Sequence, residues 1–155
     1  MTELPPRGTY GATIPKPVRW MMKSMGWSAK LMVRFGMKIQ GQPLVLLTTV
    51  GARTGKRRET VLSWFDEGES NDSGYVVASN AGSASHPGWA HNLANNPDEV
   101  SLDRGDGETA VDAQMLSGGE RRAVWDEVVE LAPGYGRYLE KTDREIPIFR
   151  LSLRK

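Results

Sequence analysis

The chain has 155 residues, 39% of them hydrophobic and 25% charged, which suits one folded domain with a sizeable core. It has no cysteine and two histidines, so disulfides, thiolate metal sites and cysteine nucleophiles are excluded and secretion is not expected. The net charge of +1 conceals a division: Leu4 to Arg58 holds eleven Lys or Arg and no acid, and from Glu59 onward there are nine against eighteen acids. A segregated field of this kind turns the first third of the chain towards something negative: a phosphorylated cofactor, a membrane surface or nucleic acid.

Residues 1–14, rich in Pro, Gly and Thr, read as a flexible N-terminus with no apolar signal-peptide core. No uncharged apolar run is long enough to span a bilayer, and a cytoplasmic location is expected. Residues 15–39 predict one helix, with Pro15 or Pro17 in the first turn, where proline is tolerated. Trp20, Met21, Met25, Leu31, Met32 and Phe35 supply an apolar stripe ringed by Lys16, Arg19, Lys23, Lys30, Arg34 and Lys38. Gly26 and Gly36 weaken it and are candidate points for breaking it in two. Two readings stand: a core-packing helix with solvated lysines, or a basic amphipathic helix that lies on anionic lipid or covers a hydrophobic ligand.

Residues 40–155 make the main domain. Strands are expected at 43–50 and 58–65, joined as a hairpin by GARTGKRR, then at 75–79, 99–104, 109–116 and 146–153. A short helix lies in SHPGWAHNLANNP, with Pro87 near its start. A longer one runs from the capping-box spacing of Ser117 and Glu120 to Leu131, and another short one follows in APGYGRYLEKTDRE. Short hairpin connections make this an α+β antiparallel barrel with peripheral helices, not a parallel doubly wound sheet.

Three segments carry candidate chemistry. GARTGKRR crowds Arg53, Lys56, Arg57 and Arg58 with no acid between them. It is not a triphosphatase phosphate loop, because the glycine spacing is one residue short and Arg57 follows the lysine. Glycine-permitted turns with charged donors nevertheless suit a phosphate or polycarboxylate, and the plain alternative is a solvated basic hairpin. HPGWAHNL suggests a pocket rim, although a tryptophan there also serves a core, and no carboxylate close by completes a metal set with His86 and His91. In PGYGRY, Tyr135 and Tyr138 are three apart on a short helical turn, so both phenols can face a reacting carbonyl or, equally, solvent. Serine nucleophile chemistry lacks a glycine-flanked elbow. An enzyme of this composition would draw its chemistry from a cofactor.

LLTTVGARTGKRR, VVASNAGSASHPGWAHNLANNP and PGYGRYLEKTDREIPIFRL together resemble the deazaflavin-dependent nitroreductase family, actinobacterial oxidoreductases that use coenzyme F420. The resemblance runs in order from about Pro43 to Leu151. It implies a split β-barrel related to flavin-mononucleotide oxidases and a coenzyme with a phosphodiester and several glutamates. It implies that Arg53, Lys56, Arg57 and Arg58 grip that anionic handle, with Thr49, Gly51, Thr54 and Gly55 in the same binding motif. Ser79 and Asn80 match the strand end near the ring, and Trp89 and Asn92 match helix residues at the pocket. Ala52 stands where a nitroimidazole-activating relative has arginine, and Asn80 where it has lysine.

The implied chemistry is hydride transfer from the reduced coenzyme to a stacked electrophile. Tyr135 and Tyr138 would donate to the acceptor oxygen. Ser63 and Ala132 replace tyrosines of that relative, so quinone-type acceptors are expected ahead of nitro compounds. The basic helix would dock at the inner face of the cell membrane or lid the site, and a homodimer is expected. Two rivals remain: a non-catalytic deazaflavin or lipid carrier, and a flavin-mononucleotide oxidoreductase, for whose single phosphate four loop cations are excessive. Nucleic acid is not expected, since no aromatics interleave the basic loop and the C-terminal half is acidic.

Overall fold

The computed structural model describes residues 2–13, 15–17 and 26–154. Its spine is β2 (Gln42–Val50), where Leu44, Leu46 and Thr48 alternate with Val45, Leu47 and Thr49 and all six are buried. Both faces are covered, hence the nearly unbroken apolar run. Val45 and Leu47 point into the barrel, and Leu44 and Leu46 pack under Val33 of α1 (Gly26–Arg34).

The helix expected over 15–39 does not reach Ile39. Residues 18–25 lie outside the described residues, and α1 stops at Arg34, beyond which Gly36 turns the chain at φ +69°. Lys38–Ile39 then forms β1, paired with the start of β2.

β3 (Arg57–Ser63) pairs with β2 in a regular antiparallel register. The single strand expected over 58–65 is interrupted at Trp64, whose buried indole donates to Asp66 at 2.8 Å. The chain resumes as β4 (Phe65–Asp66), which pairs with β5 (Ser73–Val77). β6 (Val100–Asp103), β7 (Glu108–Met115) and β8 (Ile148–Leu153) complete the order β1-β2-β6-β7-β8-β5-β4, with β3 on β2. Because β3 and β4 are consecutive, the sheet curls into a split β-barrel, an α+β fold in which every pairing is antiparallel.

Leu47, Val76, Leu102, Phe149 and Leu151 fill the interior, capped by Trp89 and Leu93 of α2 (Gly88–Asn95). Each such large apolar side chain contributes roughly 1.5–3 kcal/mol by leaving water. Outside, Phe65, Tyr75, Val77 and Ile148 pack against Val124, Trp125 and Val128 of α3 (Gly118–Leu131). The capping box expected at its start does not form. Ser117 makes no side-chain cap bond, and the Glu120 carboxylate accepts from Arg150 at 2.5 Å instead. After a 3-10 turn over Pro133–Tyr135 comes α4 (Gly136–Lys141).

The expectation of a flexible segment over 1–14 also gives way. Residues 2–12 form a strap bonded along its length: Thr2 N–H donates to Ala94 C=O, Gly8 to Ala84 and Ala12 to Gly82, each at 2.8–2.9 Å. A side chain at Gly11 would run into the Ser83–Ala84 backbone, so glycine is what lets the strap lie flat.

Candidate active site

The candidate residues fall into two polar regions. The first is the β2–β3 hairpin tip. Gly51 N–H donates to Lys56 C=O and Gly55 N–H to Gly51 C=O, closing a turn in which Gly55 takes φ +66°. Asn92 of α2 pins this turn: its Oδ1 accepts from Ala52 N–H at 2.9 Å and its Nδ2 donates to Thr49 Oγ1 at 3.0 Å. Thr54 Oγ1 accepts from Lys56 N–H. The tip is therefore a rigid platform.

The four cations on it differ. Arg57 donates two bonds to Glu108 at 2.6 and 2.7 Å, and Ser101 adds a hydroxyl to the same carboxylate. The Arg57 guanidinium, then Ser101, hold the Glu108 carboxyl below its ordinary range. Arg53, Lys56 and Arg58 are exposed, and among the described residues no carboxylate lies within ion-pair distance of them. Arg58 sits opposite Thr49, whose hydroxyl meets Asn92 of α2, and so shares that face of the hairpin. Trp89 is buried edge-on against Phe149 at 6.0 Å, and both polar ends of Asn92 are engaged by the hairpin.

The second region surrounds two tyrosines. Tyr135 is buried near Ser63 and meets Phe65 and Tyr138 edge-on at 5.5 and 5.4 Å. Burial pushes its phenol pKa up, Ser63 pulls the other way, and Tyr138 adds to the rise, so the hydroxyl stays protonated at neutral pH. Tyr138 is half-buried on α4, against which the Ser79–Gly82 turn rests. That turn carries three consecutive left-handed residues, Asn80 (φ 45°), Ala81 (φ 53°) and Gly82 (φ 79°). Asn80 Nδ2 donates to Ser85 C=O at 3.0 Å.

Sequence reasoning assigned no role to the group beneath this turn. Arg144 is buried, and its guanidinium donates to the carbonyls of Ala78 (3.1 Å), Ser79 (2.8 Å) and Ser83 (3.0 Å) and to His86 Nδ1 (2.7 Å). The other ring nitrogen of His86, Nε2, donates to Pro5 C=O of the strap at 2.7 Å. Burial lowers the pKa of both Arg144 and His86. Neighbouring Asp143 turns outward to Thr9, and Thr142 Oγ1 donates to Tyr10 C=O. The signal in the sequence was the segment PGYGRYLEKTDREIPIFRL, which carries part of the family resemblance and contains Arg144.

Ser63 and Arg58 point to opposite faces of β3, so the strand does not bring tip and tyrosines together. The connection runs instead through the Ser79–Pro87 loop and the first turns of α2, which touch α4 at one end and the hairpin at the other.

Residues 20–152 match the sequence profile of the F420H(2)-dependent quinone reductase family. The chain belongs to that family. It is similar to the F420H(2)-dependent quinone reductase of Mycobacterium tuberculosis, at 36% identity over 125 residues, 78% of this chain and 81% of the relative. A solved F420-H2 dependent reductase of the FDR-A type superposes with a TM-score of 0.61 at 40% identity, covering 70% of this chain and 93% of that one. A second solved structure, a domain-swapped dimer, gives 0.64 at 35%, covering 88% and 100%.

This family member is thus an oxidoreductase whose cofactor is coenzyme F420. The residues present fit that polyanion. Three cations with no acid partner among the described residues stand on a turn pinned by Asn92.

Proposed function

We propose that this reductase holds coenzyme F420 by its phosphate and glutamate handle at the hairpin tip and delivers hydride to a quinone-type acceptor beside Tyr135 and Tyr138. When bound, the reduced coenzyme supplies the hydride. The chain's own part is to bind, orient and keep water out. Arg53, Lys56 and Arg58 supply charge-assisted bonds to the handle, and Thr49, Gly51, Thr54 and Gly55 keep the turn in shape. Arg57 steadies the hairpin through Glu108. Ser79 and Asn80 border the ring end, with Trp89 and Asn92 as wall and brace. Tyr135 keeps its proton and offers it to the acceptor oxygen, with Ser63 orienting the phenol and Tyr138 closing the slot.

The observation that carries this reading is the pinned turn with three unpartnered cations, which a solvated hairpin does not require. Reduced coenzyme and menadione, mixed anaerobically with the protein, test it. Oxidation faster than the protein-free control is expected, and an equal rate would favour a carrier. Coenzyme with shortened glutamate tails should bind progressively more weakly.

Trp27 (75% exposed), Phe35 (78%), Met37 and Ile39 stand exposed beside Arg34 and Lys38, which supports peripheral contact of this face with anionic lipid at the inner face of the membrane. Among the described residues no helix is long and apolar enough to cross a membrane. Co-sedimentation with liposomes should depend on anionic lipid. A homodimer is supported by the dimeric relative, and light scattering on the full chain checks it.

A further inference from the structure

We propose that Arg144 is a positioning residue for hydride transfer: with His86 and the Pro5 carbonyl of the strap, it locks the Ser79–Ser85 loop in the conformation that receives the ring end of the coenzyme. This rests on the placement of that ring end at Ser79 and Asn80.

The loop needs a lock. Asn80 and Ala81 hold a left-handed backbone that L-residues adopt at a cost, and such geometry persists only where its surroundings over-determine it. Within the loop, Gly82 N–H bonds Ser79 C=O, Ser83 N–H bonds Asn80 C=O, and Asn80 holds Ser85. From below, Arg144 binds the carbonyls of residues 78, 79 and 83 at once, which a planar fork of five donors can do and a lysine cannot. From above, the strap bonds Gly82 and Ala84.

The chemistry of the partners shows what the arginine is for. A buried cation ordinarily stands against a carboxylate, because burial of an unpaired charge is costly. Among the described residues Arg144 has no carboxylate within ion-pair distance. Its neighbour Asp143 is spent on Thr9 and Tyr10, and the acceptors of Arg144 are loop carbonyls and one imidazole nitrogen. The cation is therefore committed to loop geometry.

His86 makes the lock conditional. Its Nδ1 accepts from Arg144 while Nε2–H donates to Pro5, so the bridge exists only with a neutral ring. The charged or titratable groups facing it are Arg144 and, ring to ring at 6.0 Å, His91 of α2; the strap presents only a carbonyl. Protonation would set a second cation against the guanidinium and break the bond. The folded-state pKa is depressed, so the contribution is complete above the unfolded value near 6.5 and lost as pH falls through the folded one.

The test compares the full chain with Arg144→Lys, Arg144→Gln and His86→Asn. Amide exchange of residues 79–86 is measured without coenzyme, coenzyme affinity by fluorescence, and KM and kcat with menadione from pH 5 to 8. Both Arg144 variants should speed exchange in the loop and weaken coenzyme binding about tenfold, the loss of one good hydrogen bond. The wild type should lose affinity as pH falls through the depressed folded-state value of His86, below about 6.5, and His86→Asn should flatten that step. Unchanged exchange in both Arg144 variants would overturn the lock itself. Faster exchange with unchanged affinity and kcat/KM would overturn the proposal differently, by showing that the ring end lies elsewhere.

Discussion

The hairpin tip and the Arg144 hub are both basic, and they use charge in opposite ways. At the tip, Arg53, Lys56 and Arg58 stand in water without acids, where unpaired charge costs little and stays available to a ligand. At the hub one guanidinium is buried and every bond it makes goes to the protein. Cations held in reserve mark a site, and cations fully spent mark the scaffold that shapes it. Arg57 lies between the two: it belongs to the tip by sequence and, through Glu108, to the scaffold by geometry.

The contrast can be broken by substitution. Replacing Arg53, Lys56 and Arg58 together by Gln should raise the coenzyme Kd roughly a thousandfold, at about 1.4 kcal/mol for each charged contact. The melting temperature should hardly move, and a parallel loss of stability would mean that these cations are structural after all. Asn92→Ala leaves Ala52 N–H without its acceptor, so coenzyme binding should weaken about tenfold and the protein should lose roughly 1–2 kcal/mol in denaturant titration.

Smaller effects sharpen the division. Tyr135→Phe should lower kcat about tenfold in the menadione assay while coenzyme affinity holds, because only the phenolic donor is lost. Arg57→Gln should change coenzyme Kd by less than about threefold, as expected for an exposed pair with Glu108. The weakest effect concerns the strap. Thr9 bonds hold the Asp143 carboxyl below its ordinary range, so this contribution is present above the unfolded value and fades as pH falls through the folded one. Protection of the Thr9 and Tyr10 amides relative to their intrinsic exchange should fall in strong acid, and Asp143→Asn should show that loss of protection at neutral pH.

The strands and the basic hairpin were legible because they follow local rules: a period of two, glycine at the turn, and a cluster of like charges that calls for an anion. The long N-terminal helix was misjudged where Gly36 and the pairing of Lys38–Ile39 with β2 outweigh the apolar stripe. Ser117 and Glu120 had capping spacing, but Arg150, thirty residues away in sequence, took the carboxylate. Trp89 and Asn92 were expected at the pocket from their motif. Only the structure shows that one fills the core and the other braces the hairpin.

The order of elements, the antiparallel barrel and the concentration of positive charge on one turn were in the sequence itself, because each depends on neighbours a few residues apart. Which cations remain free, how the Ser79–Gly82 turn is kept in a costly backbone, and why residues 2–12 lie ordered across it were decided by the tertiary structure. Those outcomes depend on Glu108, Arg144 and Asp143 arriving from distant strands and loops, and a hydrogen bond forms with whatever partner the fold delivers.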